Sequence, residues 1–224
     1  MWEQAQLRAL HIGDEAIVDT SSFSLEGRAI RKVRQSSARL EHAGFRAELL
    51  DFSALSETAL AQLEAVSEAW RQGTPECGYA MAMDTLRNDA HRETLVVVAR
   101  DGSGVIRGFL HFVPTFARAA VSLSFMRRQR DTPNRLNEFL VARPLGLLRT
   151  RWIDEVSLNF ATFARLLHSP STPVERLLGR LIALGNPFFQ IESLYRVNAK
   201  FSPRWEPRYL VCEGTFSLPL NRRT

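Results

Sequence analysis

The chain has 224 residues, of which 45% are hydrophobic, so it can bury the core of one domain, but it contains no apolar stretch long enough to predict a membrane-spanning helix. Its formal net charge at pH 7 is +5, from 29 Lys and Arg against 24 Asp and Glu. The two cysteines, Cys77 and Cys212, have no His or Cys partner at ligand spacing, which speaks against a zinc site or a disulfide framework and fits a reducing cytosol.

The positive charge leaves two interpretations open. A basic chain suits an anionic partner such as tRNA or an acidic lipid surface. However, all the basic residues except Lys32 and Lys200 are arginine. A GC-rich genome produces such a bias without any selection for phosphate binding.

The first predicted elements are a strand over residues 16–19 and a helix over about 25–42, with Thr20, Ser21 and Ser22 as start signals and Gly44 beyond its end. Helical spacing divides this segment into an apolar and a basic face. The apolar face has Ile30, Val33, Ser37 and Leu40, and the basic face has Arg28, Arg31, Lys32, Gln35 and Arg39. Arg28, Arg31 and Lys32 are candidates for contact with phosphate or lipid headgroups, although a solvated basic face is the commoner role.

In the middle of the chain, the residue patterns predict a strand over 45–52, a helix over 56–70 and a β-hairpin over 94–113. The turn of this hairpin is Asp101-Gly102-Ser103-Gly104. Two alternating strands follow, over 119–126 and 155–160. Between them a helix begins near Arg135, and Pro144 is expected to kink or end it. Helices over about 174–184 and 187–199 and a strand near 209–213 complete the prediction.

The alternating strands carry small polar residues on one face. In the first strand Ser122, Ser124 and Met126 lie opposite Val121, Leu123 and Phe125, and in the second strand Ser157 and Asn159 point away from the core. Periodicity alone leaves two roles open for these polar side chains. They either line a cleft or coat the solvent face of an antiparallel sheet.

This order of elements, an antiparallel meander and then strand, helix and strand, is the plan of GNAT-type acyltransferases, in which two central strands splay apart to admit the acyl donor. We therefore predict an α+β fold of GNAT-like type, with a mixed, mostly antiparallel sheet flanked by helices. The splayed pair would be the strands over 119–126 and 155–160. Residues 1–12 are assigned to a lead or linker remnant and residues 13–224 to the domain.

Several motifs resemble the C-terminal domain of the phosphatidylglycerol lysyltransferases, also called multiple peptide resistance factors, over roughly residues 13–218. Residues 23–34 resemble the start of that domain, 122–128 its strand ending in Leu-Met-Arg, and 133–140 the start of its following helix. Residues 157–161 are similar to the actinobacterial lysyl-phosphatidylglycerol synthase branch. The most specific match is FFQIESLY over 188–195, followed by NAKF over 198–201 and PRWEPRYL over 203–210.

The resemblance implies transfer of an aminoacyl group, lysyl in the first instance, from aminoacyl-tRNA to the headgroup hydroxyl of phosphatidylglycerol. Such transfer changes membrane charge and resistance to cationic antimicrobial peptides. It is ester exchange, so neither a cofactor nor a metal is expected. The resemblance also implies tandem GNAT-like domains attached to a membrane-spanning portion. We expect that portion and the first domain to lie outside this sequence, and the present domain to be soluble and to act at the cytoplasmic face of the cell membrane.

Three positions depart from the family pattern. Ser124 stands where the family strand commonly carries Asp, Arg135 replaces the usual Gly after Asn134, and Pro144 interrupts the helix. These changes leave open a different amino acid, a different lipid acceptor or lost activity.

Four residues are the candidates for the reaction itself. Lys200 and Arg208 flank a Pro-Trp turn and are candidates for holding the tRNA terminus or the lipid phosphate, with surface charge as the alternative. We expect alanine at either position to reduce transfer more than thermal stability. Arg127 matches an arginine of the family at the end of the splayed strand. Glu138 is placed to recognise the donor's α-ammonium or to act as a base, or simply to favour a helix start.

The remaining candidates contact substrate in the predicted site. Trp205 and Tyr209 either stack on the terminal adenine or belong to the core. Glu76 is a second carboxylate for a cationic donor side chain, and Ser122, Ser124 and Asn159 would face the cleft. The five histidines are dispersed along the chain, and none is assigned a role.

Two other functions remain as alternatives. An acyl-CoA-dependent acyltransferase has the same predicted plan, but its pyrophosphate loop is normally rich in glycine, and residues 127–135 contain none. A non-catalytic tRNA- or lipid-binding module would keep the basic helix and lack the chemistry, as Ser124 suggests.

Overall fold

The computed structural model describes residues 7–71, 86–162 and 195–213, which form one seven-stranded sheet with helices on both faces. The sheet order is β2-β3-β4-β5-β6-β1-β7. In chain order the elements are β1 (Leu7–Asp19), α1 (Arg31–His42), β2 (Arg46–Asp51), α2 (Glu57–Arg71), β3 (Leu95–Arg100), β4 (Ile106–Thr115), β5 (Ala120–Arg128), α3 (Leu136–Thr150), β6 (Glu155–Thr162) and β7 (Arg204–Glu213).

Two apolar clusters hold the helices on the sheet. Helices α1 and α3 cover one face, where Val33, Leu140 and Val156 belong to the same buried cluster. Helix α2 covers β4 and β5 on the other face, through Leu63, Val66 and Phe109. The predicted apolar face of α1 is confirmed, because its inward residues are all buried. We refer below to the α3 face and the α2 face of the sheet.

The central pair of strands is paired only at one end. Strands β5 and β6 run parallel, with Ala120 opposite Glu155 and Ser122 opposite Ser157 in the first and last of three pairs. Beyond these pairs β5 continues to Arg128 and β6 to Thr162, and the described residues show no further pairing between the two strands. The Asn198 amide donates instead to the Leu158 carbonyl oxygen on the parted strand, at 3.1 Å. The predicted splay is thus present, and with it the predicted α+β, GNAT-like arrangement.

A β-bulge at Ser124 alters the predicted faces of β5. His111 of β4 pairs with Phe125, but Phe112 pairs with Leu123, so Ser124 is an extra residue. Past the bulge the alternation reverses: Phe125 packs on the α2 face, whereas Met126 packs against the cluster under α3. The prediction of one face for Val121, Leu123 and Phe125 is therefore wrong at Phe125.

The start of the chain also differs from the prediction. Strand β1 begins at Leu7 and pairs with β7 from its first residue, so residues 7–12 belong to the sheet and not to a lead. Helix α1 begins at Arg31 and not near Leu25, because Gly27 has φ +89°, which a right-handed helix excludes. The Asp19 carboxylate accepts the Ser21 N–H at 2.8 Å and shapes this connection.

Helix α3 continues through Pro144 to Thr150, so of the two expected effects of this proline, a kink or an end, the end does not occur. Proline removes one backbone donor, but Phe139, Leu145 and Leu148 on both sides of it are buried in one cluster, and their packing holds the helix together. The predicted helix over 174–184 lies outside the described residues, and only residues 195–199 of the helix predicted over 187–199 fall within them. Strand β7 begins at Arg204, five residues before its predicted start.

Candidate active site

A network of side chains starts where β5 and β6 part. Ser157 lies between Val156 and Leu158, which are buried under α3, so its hydroxyl is on the α2 face. This hydroxyl donates a hydrogen bond to the Glu15 carboxylate of β1. The same carboxylate forms an ion pair with Arg208 of β7. Three strands therefore supply a hydroxyl, a carboxylate and a guanidinium that are in direct contact.

Arg208 is held between two carboxylates. Besides Glu15 it contacts Glu206, with Nη1 3.2 Å from Oε2. Glu206 also accepts from Arg204 at 2.8 Å, and this contact, more than the one to Arg208, holds the pKa of Glu206 below its usual range. A phosphate that bound Arg208, as predicted, would have to compete with these two carboxylates for the guanidinium. Its more direct effect is to fix Glu15 beside Ser157.

Lys200 and Glu138 form a second pair. The Lys200 ammonium donates to Oε1 of Glu138, whose side chain is only 6% exposed, whereas that of Lys200 is 39% exposed. Arg135 is the next cation, with Nη1 3.7 Å from the second Glu138 oxygen. Glu138 lies in the first turn of α3, as predicted. A buried carboxylate thus anchors a cation that still reaches solvent.

The two predicted cations lie on opposite faces of the sheet. Lys200 contacts α3, which packs on the α3 face. Trp205 of β7 packs on that face too, so alternation along the strand puts Arg208 on the α2 face. The structure therefore does not bring Lys200 and Arg208 together around one turn. The opening between β5 and β6 lies in the sheet that separates these two cations.

Arg127, the candidate at the end of the splayed strand β5, is buried. Its guanidinium carbon lies 4.5 Å from the centre of the Phe125 ring and 5.9 Å from that of Trp70. His111 stacks on the same Phe125 ring, with ring centres 4.5 Å apart and ring planes at 11°. Arg127 therefore anchors the end of β5 to α2 through cation–π contacts.

The fold brings together two histidines that the sequence left dispersed. The rings of His91 and His111 are 4.7 Å apart, edge to face, and both side chains are fully buried. The His111 Nε2 lies 3.0 Å from the Thr94 hydroxyl. Burial, followed by His91 and Arg127, lowers the pKa of His111 to about 3, so His111 is neutral at pH 7.

The polar residues of the two parted strands differ in their burial and in their contacts. The Asn159 N–H is 3.3 Å from the Ser157 hydroxyl oxygen, and its φ of +77° marks the irregularity at which β6 shifts register against β1. Ser124 is buried in the β5 bulge. Ser122 is partly buried opposite Ser157. Of the predicted cleft residues, Ser122 and Asn159 are therefore next to the Ser157 network.

The predicted aromatic residues separate into core and surface. Trp205 packs against the cluster under α3 and stacks on Tyr195, with ring centres 4.6 Å apart, as its core alternative predicted. Tyr209 is exposed, and its ring meets the edge of His11 at 5.5 Å. Glu76 lies outside the described residues.

The basic face of α1 is exposed, as predicted. Within the described ranges, no carboxylate forms an ion pair with Arg28, Arg31, Lys32 or Arg39. Most other described arginines, such as Arg100 and Arg107, are bound to acids. The helix therefore presents a stripe of uncompensated positive charge.

A cavity of about 380 Å³ lies beside the end of β1 and not in the opening between β5 and β6. Asp19, Glu26 and Arg204 supply its charged lining, and Phe23 and Phe201 part of its apolar lining. None of the predicted site residues that the structure describes lines it.

A mostly antiparallel sheet with one described parallel pair, parted at its middle and covered by helices on both faces, defines a GNAT-like acyltransferase fold. Residues 1–212 match the family model described as phosphatidylglycerol lysyltransferase, C-terminal, and the chain belongs to this family. Within residues 7–71, 86–162 and 195–213, no helix combines the length and apolar character needed to cross a bilayer.

Curated relatives include proteins named lysylphosphatidylglycerol biosynthesis bifunctional protein LysX. Those of Gordonia bronchialis and Nocardia farcinica are 35% and 34% identical to this chain over 97% of its length. That of Mycobacterium tuberculosis is 32% identical over 99%. The chain spans only about a fifth of the length of these relatives, 20% of the first and 21% of the last.

Two solved structures are similar in fold. The structure of L-PGS from Bacillus licheniformis superposes with a TM-score of 0.74 at 20% identity, covering 97% of this chain and 65% of that one. The C-terminal domain of a putative lysylphosphatidylglycerol synthetase from Agrobacterium fabrum superposes with a TM-score of 0.73 at 26% identity, covering 93% and 62%. Both likenesses extend over nearly the whole chain.

Proposed function

We propose that this domain transfers an aminoacyl group from aminoacyl-tRNA to the headgroup hydroxyl of phosphatidylglycerol, and that the group transferred is lysyl. Membership of the family and the names of the LysX relatives support the reaction class. The observation that carries the proposal is the opening between β5 and β6, with polar networks on both faces of the sheet beside it. Two large substrates can then approach the same point from opposite sides.

The reaction requires no oxidant and no external energy source. The lipid alcohol oxygen attacks the carbonyl carbon of the aminoacyl ester and forms a new C–O bond. The bond from that carbon to the ribose oxygen breaks, and the proton of the lipid hydroxyl ends on the ribose oxygen. The protein has to align the alcohol, stabilise the developing oxyanion and carry the proton.

Ser157 and Glu15 supply the proton route in this proposal. The lipid hydroxyl gives its proton to the Ser157 oxygen while Ser157 gives its own to the Glu15 carboxylate, and the relay reverses toward the ribose oxygen. Arg208 keeps the carboxylate in place during both steps. Sequence reasoning missed Glu15, because it is 142 positions from Ser157 and lies in a strand whose first half was assigned to a lead.

Lys200 and Glu138 orient the donor on the other face. Lys200 uses one donor on Glu138, and its exposed ammonium has two further N–H groups for the ribose and phosphate oxygens of the tRNA terminus. Arg39, an uncompensated cation toward the end of α1, supplies a further contact to the tRNA backbone. Glu138 acts here as a positioning residue because its carboxylate is buried behind the lysine.

The test is to incubate the chain with radiolabelled Lys-tRNA and phosphatidylglycerol vesicles and to extract the lipid. Lipid-soluble label that depends on the chain is the expected result, and a panel of charged tRNAs against mixed lipids then defines both substrates. Ser157→Ala is the site variant, and Arg46→Gln, at an exposed arginine of β2, is the matched surface control. Absence of label with every donor, together with retention of tRNA or vesicles, would identify a binding module instead.

A further inference from the structure

The end of the sheet at which β5 and β6 begin carries the two most exposed aromatic side chains of the described residues. Phe116, in the turn between β4 and β5, is 82% exposed, and Trp152, in the turn between α3 and β6, is 86% exposed. A hydrogen bond from the Asp154 N–H to the Ala119 carbonyl oxygen, at 2.7 Å, joins these two turns. The two aromatic rings therefore project from one edge of the molecule.

Further apolar and basic groups belong to the same edge. Leu147 in the last turn of α3 is 40% exposed, and Arg149 is exposed without a carboxylate partner among the described residues. Helix α1 starts at this end too, because Ile30 and the end of β1 line one cavity. Its first turn and the preceding loop add the uncompensated Arg28, Arg31 and Lys32, which with Arg149 outnumber the exposed carboxylates of Asp19, Glu26 and Asp154. The edge has an excess of positive charge.

We infer that this edge, formed by Phe116, Leu147, Arg149 and Trp152 with the start of α1, docks on an anionic lipid bilayer. The inference deepens the proposed function and rests on it for the choice of a lipid partner. Aromatic side chains on separate protruding turns insert singly into the headgroup region, where Trp is favoured. Cations around them bind anionic headgroups. A protein partner would be expected to fill a groove or cover a flat patch, and these protruding turns offer neither.

The position of the edge relative to the parted strands supports this orientation. Glu155 starts β6 at the edge, and Ser157 follows two residues later, which is about 7 Å along a strand. Docking at this edge therefore gives lipid headgroups access to the neighbourhood of Ser157, whose own side chain is buried. The proposed function requires this access, since the acceptor hydroxyl belongs to a membrane lipid.

Sedimentation with vesicles tests the docking edge. The chain should bind phosphatidylglycerol vesicles more tightly than phosphatidylcholine vesicles, and Phe116→Ser should weaken binding by roughly tenfold, as expected for loss of one inserted aromatic ring. Trp152→Asn should do the same; asparagine is chosen because it tolerates the φ of +60° at this position. Arg149→Gln should weaken binding only to the anionic vesicles. Val105→Ser and Arg46→Gln, at the opposite end of the sheet, are matched apolar and charged controls.

Two acceptors separate this inference from the proposed function. The edge variants should lose transfer to phosphatidylglycerol vesicles but keep the parental rate with monomeric dihexanoyl phosphatidylglycerol. If the parent transfers to neither acceptor, the proposed function fails, and the vesicle binding still decides the docking edge. The inference is overturned if Phe116→Ser and Trp152→Asn bind vesicles as the parent does. It is also overturned if they change only the oligomeric state, since a second copy then covers the edge.

Discussion

The Ser157 hydroxyl donates a hydrogen bond to the Glu15 carboxylate beside the point where the two central strands part. This contact predicts that Glu15→Gln lowers kcat for aminoacyl transfer by about 100-fold or more, the usual effect of removing a general base. The amide keeps the size of the side chain, so KM and the melting temperature should change little. Initial rates with Lys-tRNA and phosphatidylglycerol measure the effect.

Glu206→Gln is the matched comparison for Glu15. It removes the other carboxylate on Arg208 and leaves the bond from Ser157 to Glu15 in place. We expect a much smaller loss of kcat from this variant. Equal losses from both variants would mean that Glu15 acts only as part of the charge network and not as a proton acceptor.

The pair of Lys200 and Glu138 predicts that Lys200→Ala affects stability as well as transfer. Without the lysine, Arg135, at 3.7 Å, is the only cation that the described residues place beside the buried Glu138 carboxylate. The loss should be about 2 kcal/mol of unfolding free energy, less than for a fully buried pair because Lys200 is half-exposed. Urea denaturation of the single variant and of Lys200→Ala/Glu138→Gln measures it.

The double variant separates the two roles of Lys200. Neutralising Glu138 should recover most of the lost stability, while transfer stays low because the donor's contact with the ammonium is still missing. By contrast, Arg208→Ala leaves Glu15 partly accessible to solvent and should reduce transfer with a smaller loss of stability. Recovery of transfer in the double variant would show that Lys200 matters only for folding.

Periodicity and turn chemistry predicted those features that depend on local sequence. The buried face of α1, including Val33 and Leu40, follows from helical spacing. The hairpin turn at Asp101 follows from its carboxylate, which accepts the Ser103 N–H at 3.0 Å. The order of the elements and the family motifs then indicated the splayed pair. Apart from the order of the elements, these signals lie within segments of a few to about twenty residues.

The active-site network could not be predicted in the same way. Glu15, Ser157 and Arg208 meet only because β1 pairs with both β6 and β7. The bulge at Ser124 adds one residue to an otherwise regular alternation, and no residue type requires a bulge there. These features arise from strand pairing across most of the chain, which local patterns do not report. The prediction therefore grouped Lys200 and Arg208 around one turn, whereas the fold puts them on opposite faces of the sheet.

Arg135 has φ +75° just before α3, at the position where the family pattern carries glycine. A left-handed conformation costs a non-glycine residue about 1–2 kcal/mol. Glycine relieves this strain, but it also raises the conformational entropy of the unfolded chain, which offsets part of the gain. Arg135→Gly should therefore stabilise the domain by about 0.5–1 kcal/mol. The half-exposed contact of Arg135 with Glu138 is too weak to cancel this gain. Urea denaturation measures the change, and Arg135→Ala, which removes the charge but keeps the strain, should show no stabilisation.

The buried His111 predicts a pH dependence of stability. Its pKa is about 3 in the folded protein, chiefly because burial disfavours the charged ring, against an ordinary value of 6.5. Below pH 6.5 the unfolded chain binds a proton that the folded chain does not, so stability is present above pH 6.5 and falls toward pH 3 by up to about 1.4 kcal/mol per pH unit. His111→Phe should be less stable at pH 7, because the Thr94 hydroxyl loses its contact with the His111 ring and keeps only its bond to the His91 carbonyl oxygen, but its stability should fall less between pH 6 and 4.5. His42→Gln, at an exposed position, should keep the parental slope in urea denaturation at each pH. If His111→Phe also keeps that slope, another group titrates in this window and His111 does not control it.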